Sequence, residues 1–297
     1  VMTRGLLVFA AVTDAFRVSS DVSQNAMTND WWGSDYHGPR FIDATEMAGL
    51  TNSASSFGTN FIDIDADGDL DLYVSQTRSP NRLYLNVDGK GNFSDITVSS
   101  GLFDPSASRG ASFADVNGDG HLDLYQTNTD IPNRLYLGDG KGHFERQFDT
   151  GLEDTGMAQV ACFGDIDNDG DLDLFFTNQD KSNLLYLNNG RGTFTEATEA
   201  AGLASAADSG GFQCEFGDMD NDGDLDLIVA NTVASNYYYV NDGTGNFVER
   251  AEEAGVVGEE GISSGMRIGD FNGDGHLDLF CGSLVSGNHL YINDGTG

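Results

Sequence analysis

The chain has 297 residues, 48 of them acidic and 14 basic, and its formal net charge of −34 argues against nucleic acid or an anionic membrane surface as a partner. Its 39 Gly and 4 Pro, beside 39% apolar residues, describe a turn-rich chain able to build a sheet core, and exclude collagen-like or polyproline sequence. No apolar run reaches the roughly 18 residues needed to cross a bilayer.

Residues 1–40 match nothing further along the chain. Residues 5–12, behind Arg4, have the character of a short secretory h-region, and Trp31-Trp32 reads as a packing element, so the segment is expected to be a signal or a cap. From residue 41 to 297 a theme of fifty to fifty-three residues repeats. Phe41-Ile42-Asp43-Ala44-Thr45, before Gly49-Leu50, returns at 93–97 and 194–198, with drifted copies at Phe144 and Phe247, and reads as the last strand of each repeat. A strand marked by Phe61, Phe113, Phe163, Phe216 or Ile268 then leads into an acidic loop two residues later.

That loop, D-x-[DN]-x-D-G-x-L-D, occupies 63–71, 115–123, 165–173, 218–226 and 270–278. Carboxylates packed this closely repel one another unless a cation neutralises them, and an all-oxygen donor set on a Gly-turned loop favours Ca²⁺, up to five ions in all. The expected side-chain ligands at positions 1, 3, 5 and 9 are Asp63, Asp65, Asp67 and Asp71; Asp115, Asn117, Asp119 and Asp123; Asp165, Asp167, Asp169 and Asp173; Asp218, Asp220, Asp222 and Asp226; and Asp270, Asn272, Asp274 and Asp278. Position 7 (Asp69, His121, Asp171, Asp224 and His276) is expected to offer its backbone carbonyl. An EF-hand needs Glu at position 12, where this chain has Val74, Gln126, Phe176, Val229 and Cys281. Asn117 and Asn272 remove one charge each, so the second and fifth sites should hold the ion least tightly. A solvated acidic turn would account for one such loop but not for five with the same Leu-Asp-Leu continuation.

After each loop an apolar strand follows, then a short turn to Asn81, Asn133, Asn183, Asn236 or Asn288, always eighteen residues beyond the first Asp. A third strand ends at an Asp/Asn-Gly-x-Gly turn, and a fourth starts at Phe93, Phe144, Phe194 or Phe247. Four antiparallel strands per repeat, too few to bury both faces alone, spell an all-β chain of propeller blades. With five repeats present we read it as part of a seven-bladed propeller, with a closed five-bladed ring, clasped by 41–45, as the alternative. In an up-and-down blade the acidic loops and the Asp-Gly-x-Gly turns share one face. The other face gathers the 2–3 turns and the crossovers to the next blade, whose lengths vary, and is where ligand contact is expected.

The acidic loop, the Phe-Gly-Asp approach to it (Phe163-Gly164-Asp165, Phe216-Gly217-Asp218), the Asn-x-Leu-Tyr-x-Asn strand and the Phe-x-[DE]-x-Thr…Gly-Leu strand together resemble FG-GAP-like (VCBS) repeat proteins. Within them the text is most similar to the repeat region of the cartilage acidic protein and bacterial ASPIC/UnbV group, and more distantly to integrin α-chain propellers. The resemblance implies a secreted or cell-surface, Ca²⁺-dressed propeller that serves as an adhesion scaffold or binds an extracellular protein or carbohydrate, and is not an enzyme. The alternatives weighed are a Ca²⁺-dependent polysaccharide lyase or hydrolase on a propeller, and a structural spacer in a larger surface protein. Gly261 to Gly265 fits G-x-S-x-G, but it leads into a predicted strand rather than a strand-to-helix turn and is read as coincidence. Cys162, Cys214 and Cys281 are odd in number and lie on predicted strands; they are read as buried free thiols, with one disulfide and a spare as the alternative.

Overall fold

In the computed structural model the four apolar segments of the first four repeats, and three in the fifth, become antiparallel strands joined in chain order. It describes residues 41–50, 54–106, 108–129, 131–152, 154–203, 210–257, 263–283 and 287–295. The signal-or-cap reading of residues 1–40 therefore falls outside the described residues. Blade one comprises β1 (Ser56–Ile62), β2 (Asp71–Gln76), β3 (Arg82–Asn86) and β4 (Phe93–Asp95). Blade two comprises β5 (Ser108–Ala114), β6 (Asp123–Asn128), β7 (Arg134–Gly138) and β8 (Phe144–Arg146), and blade three β9 (Ala158–Gly164), β10 (Asp173–Asn178), β11 (Leu184–Asn188) and β12 (Phe194–Glu196). Blade four has β13 (Gly211–Gly217), β14 (Asp226–Asn231), β15 (Tyr237–Asn241) and β16 (Phe247–Glu249), followed by the one-turn helix α1 (Ala251–Ala254). Blade five has β17 (Ser263–Gly269), β18 (Asp278–Ser283) and β19 (His289–Tyr291).

The second strands of blades two, three and four are buried throughout, because neighbouring blades cover them on both sides. That is why Leu174-Phe175-Phe176 and Leu227-Ile228-Val229 read as apolar runs and not as alternation. The fourth strands are short, with two of their three residues exposed, as suits an outer edge. The core is not inside a blade but between blades. One cluster joins Ile64, Tyr73 and Leu83 of blade one to Phe113, Leu124 and Phe144 of blade two, and three similar clusters serve the next junctions. First strands pack in sequence, β1 on β5, β5 on β9, β9 on β13 and β13 on β17. The structure is thus a five-bladed β-propeller array of all-β class.

Two expectations are corrected. Residues 41–44 form no strand, and Phe41 is 97% exposed, so they do not clasp β19; the three-residue length of every fourth strand shows how little pairing holds such a segment. The turn that follows does keep its place, with Phe93 N–H donating to Ala48 O as Phe144, Phe194 and Phe247 donate to Ser100, Thr150 and Ala201. The second correction concerns the thiols: Cys162 on β9 and Cys214 on β13 are joined by a disulfide, 52 residues apart, and only Cys281 is a buried free thiol. The disulfide fastens blade three to blade four. Other junctions use hydrogen bonds: Ser112 Oγ donates to Ala161 O (2.6 Å), and the Gln213 amide pairs with both Met266 N and O (2.9 Å each).

Candidate metal centre

Each acidic loop closes on its own carboxylates. The position-1 Asp accepts backbone N–H groups from further round the loop, as Asp63 does from Asp67 (3.1 Å) and Gly68 (3.0 Å). The position-5 Asp accepts from position 7 at 2.9 Å in all five loops. These Asx turns bend the backbone through left-handed residues at positions 4 and 6, the latter always Gly. Position 4 is Gly118, Asn168, Asn221 and Gly273, residues suited to positive φ, but Ala66 in the first loop (φ 60°).

Position 9 begins the second strand of its blade and is fully buried. Asp173 Oδ1 accepts from Asn188 N (2.8 Å) and its Oδ2 from Ile166 N (3.3 Å), and the same two bonds recur at Asp71, Asp123, Asp226 and Asp278. This residue is therefore a strut between loop and third strand as well as a possible ligand. Burial pushes the carboxyls of Asp71, Asp123 and Asp226 up to about 6 and that of Asp173 up to about 7, despite the two N–H donors. Burial, followed by neighbouring carboxylates, also raises Asp65 and Asp167 at position 3.

Three loops bring carboxylate oxygens to within 4.8 Å of one another: Asp63, Asp65 and Asp71; Asp165, Asp167 and Asp169; and Asp218, Asp220 and Asp222. Asp65 Oδ1 and Asp218 Oδ1 are buried there without a hydrogen-bond partner. Orphaned anionic oxygens in a cluster of carboxylates fit a hard divalent cation, which would supply the missing positive charge. In the other two loops the Asn at position 3 turns its amide onto the position-5 carboxylate, Asn117 Nδ2 to Asp119 (3.0 Å) and Asn272 Nδ2 to Asp274 (2.7 Å). There an internal donor takes part of the role a cation would have.

The position-7 side chains point away from the carboxylate cluster. Asp69, His121, Asp171, Asp224 and His276 lie over Gly89, Gly140, Gly190, Gly243 and Gly295, and any Cβ at those glycines would strike them. That contact places the acidic loops and the Asp-Gly-x-Gly turns on one face, as expected. The opposite face is likewise assembled as expected: Arg134 pairs with Asp104, Lys181 with Asp154 (3.6 Å), and Asp180 accepts from Met157 N (2.6 Å), each joining a 2–3 turn or third strand to a crossover. Asn81, Asn133, Asn183, Asn236 and Asn288 close the 2–3 turns by accepting from Gln76, Asn128, Asn178, Asn231 and Ser283 N. Ser263 of G-x-S-x-G opens β17, and the residues that follow it continue that strand rather than entering a helix.

Sequence reasoning missed the role of the Asn that ends the third strand. Asn188, Asn241 and Asn293 each reach into the acidic loop of the preceding blade as well as their own. Their constant spacing of twenty-three residues from the first loop Asp was a legible signal.

Stacked antiparallel blades, four of them four-stranded and the fifth three-stranded, each carrying one acidic loop at the mouth of its second strand, define a repeat propeller with candidate cation sites on one face. Residues 63–126, 127–176, 165–229 and 218–281 match the FG-GAP-like repeat, and the chain belongs to that family. Cartilage acidic protein 1 of mouse and of human is 33% identical over 96 residues, 32% of this chain; the match spans about 15% and 14% of those proteins' lengths. Among solved structures, an Agrocybe aegerita lectin that recognises non-reducing terminal N-acetylglucosamine superposes with a TM-score of 0.52 at 20% identity, over 82% of this chain and 64% of the lectin. BBS1N, solved in complex with ARL6DN, superposes with a TM-score of 0.51 at 12% identity, over 82% and 67%. These two likenesses concern the fold. Among the described residues no helix is long and apolar enough to cross a membrane.

Proposed function

We infer that the chain is a calcium-binding, non-enzymatic scaffold of the secreted or cell-surface kind, which presents its crossover face to an extracellular protein or carbohydrate. The observation that carries the calcium part is the triad of carboxylates in three loops with the unpartnered Asp65 and Asp218 oxygens. All oxygen donors, no thiolate and no imidazole nitrogen in the cluster match Ca²⁺ better than zinc or copper. The ion would be held by positions 1, 3, 5 and 9 with the position-7 carbonyl, and its binding energy would add to folding, since the unfolded loop cannot gather those oxygens. The disulfide between blades supports an oxidising compartment.

Binding rather than catalysis is supported by where the chain varies. The metal face is fixed in register, and Asp63, Asp165 and Asp270, which open the first, third and fifth loops, are already hydrogen-bonded within them. The ligand face is built by ion pairs between crossovers and turns, a layout in which loops carry recognition. Metal analysis of the purified chain, with melting curves in Ca²⁺ and in EDTA, tests the first part. Bound calcium and a lower Tm in EDTA are expected; no calcium and an unchanged Tm would overturn it. Glycan-array and protein-array binding, with Lys181→Glu as the control on the crossover face, tests the second.

A further inference from the structure

Adjacent acidic loops are not separate in this fold. Asn241 Nδ2 donates to Leu225 O in its own blade's loop (3.1 Å) and to Ile166 O in the loop of the blade before (2.8 Å). Its backbone N–H is meanwhile bound by Asp226, the position-9 carboxylate of its own loop (3.0 Å). Ile166, at the receiving end, donates its own N–H to Asp173, the position-9 carboxylate of that loop (3.3 Å). The same relay is made by Asn188, from Asp173 to Val116 O (2.8 Å) and on to Asp123, and by Asn293, from Asp278 to Met219 O (2.6 Å) and on to Asp226. Hydrogen bonds alternating with the residues that make them thus link the position-9 carboxylates of blades two, three, four and five.

The line stops before blade one. Its next member would stand at residue 138, which is Gly, and a Cβ there would collide with the Leu122 carbonyl. Gly138 keeps the backbone bond to Asp123 (2.9 Å) but has no amide to offer Ile64.

We propose that calcium binding is cooperative between neighbouring loops of blades two to five, with Asn188, Asn241 and Asn293 as the coupling residues, and that the loop of blade one binds independently. This rests on the calcium reading above. An ion in one loop fixes its position-9 carboxylate, hence the Asn backbone and amide, hence the position-2 residue of the preceding loop, whose carbonyl accepts that amide and whose N–H holds the preceding position-9 carboxylate. The neighbour's ligands are then ordered in advance, and its ion has less order to impose. Couplings of this kind amount to factors of about 5–150 in affinity.

The loops of Asp165 and Asp218 make the test, since both hold carboxylate triads and Asn241 lies between them; Asn168 Nδ2 also bridges them, to Asp224 (2.8 Å) and Gly243 O (3.2 Å), and is kept constant in every variant. Calcium would be titrated against the natural chain by NMR, with the Gly170 and Gly223 amides reporting on their own loops. Asp220→Asn with Asp222→Asn, which keeps the turn-forming side-chain oxygens, disables the fourth loop. We expect this pair to weaken calcium at the Asp165 loop at least about fivefold and to leave the Asp63 loop unchanged. In an Asn241→Gly background, which reproduces the natural gap at Gly138, the same pair should shift the Asp165 loop less than about twofold. Equal effects with and without Asn241, or no effect in either, would overturn the coupling while leaving calcium binding intact. A natural chain that takes up no calcium would overturn both. Should Asn241→Gly not fold, Asn188→Gly tests the same relay between the Asp115 and Asp165 loops.

Discussion

At the scale of single residues, each loop is a compromise between backbone geometry and charge. Ala66 is the one non-Gly, non-Asn residue at a left-handed loop position, where an L side chain costs about 1–2 kcal/mol. Ala66→Gly should therefore raise stability, by about 1 kcal/mol in calcium-saturated denaturant titrations. The position-9 carboxyls make a different trade. The folded-state pKa values of Asp71, Asp123 and Asp226, near 6, and of Asp173, near 7, lie above the ordinary value of about 3.8, so the metal-free fold binds protons that the unfolded chain has released. Without metal, stability should be greatest below about pH 4 as far as these groups are concerned, and be lost as pH rises towards about 7. Saturating Ca²⁺ favours the ionised form and should remove that loss. Melting curves at pH 5 and pH 8, in EDTA and in calcium, check both signs.

At the scale of loops and strands, much was legible because the interactions that shape them are short-range. An Asp that accepts from the N–H groups four and five residues on leaves its spacing in the sequence, and so does an Asn that closes a turn by accepting five residues back. Legibility failed where an element depends on its neighbours. Residues 41–45 carry the text of a fourth strand, but a strand needs a partner, and the described structure pairs them with none. Cys162 and Cys214 look like separate buried thiols until blades three and four are stacked, although their separation is close to one repeat. Closing a loop of that length is worth about 4 kcal/mol in the chain-entropy account. Cys162→Ser with Cys214→Ser should lower stability by about that amount in urea titration, whereas Cys281→Ser, which removes a buried unpaired thiol, should cost far less. The third-strand Asn residues stayed unread for the same reason as the disulfide: their second partner lies some 72–75 residues earlier in the chain.

At the scale of the whole molecule, the blades are held by what lies between them, and among the described residues no hydrophobic cluster joins blade five to blade one. Leu83, Leu135 and Leu185 are buried beneath the following blade, but their counterpart Leu290 is 53% exposed, with Ile292 at 54% beside it. An apolar face of this kind should bind a hydrophobic dye in the native state, and Leu290→Ser with Ile292→Ser should abolish most of that fluorescence without lowering Tm. The uneven fasteners between blades also bear on how the molecule meets mechanical load. Pulled from its two ends, a stack with no core inside its sheets gives way one sheet at a time, and each release lengthens the chain by a repeat. The disulfide between Cys162 and Cys214 keeps the chain between them out of the line of force, so almost the whole of blade three adds no length until that bond is reduced, and a tether built this way would stretch under tension in stages while its middle holds.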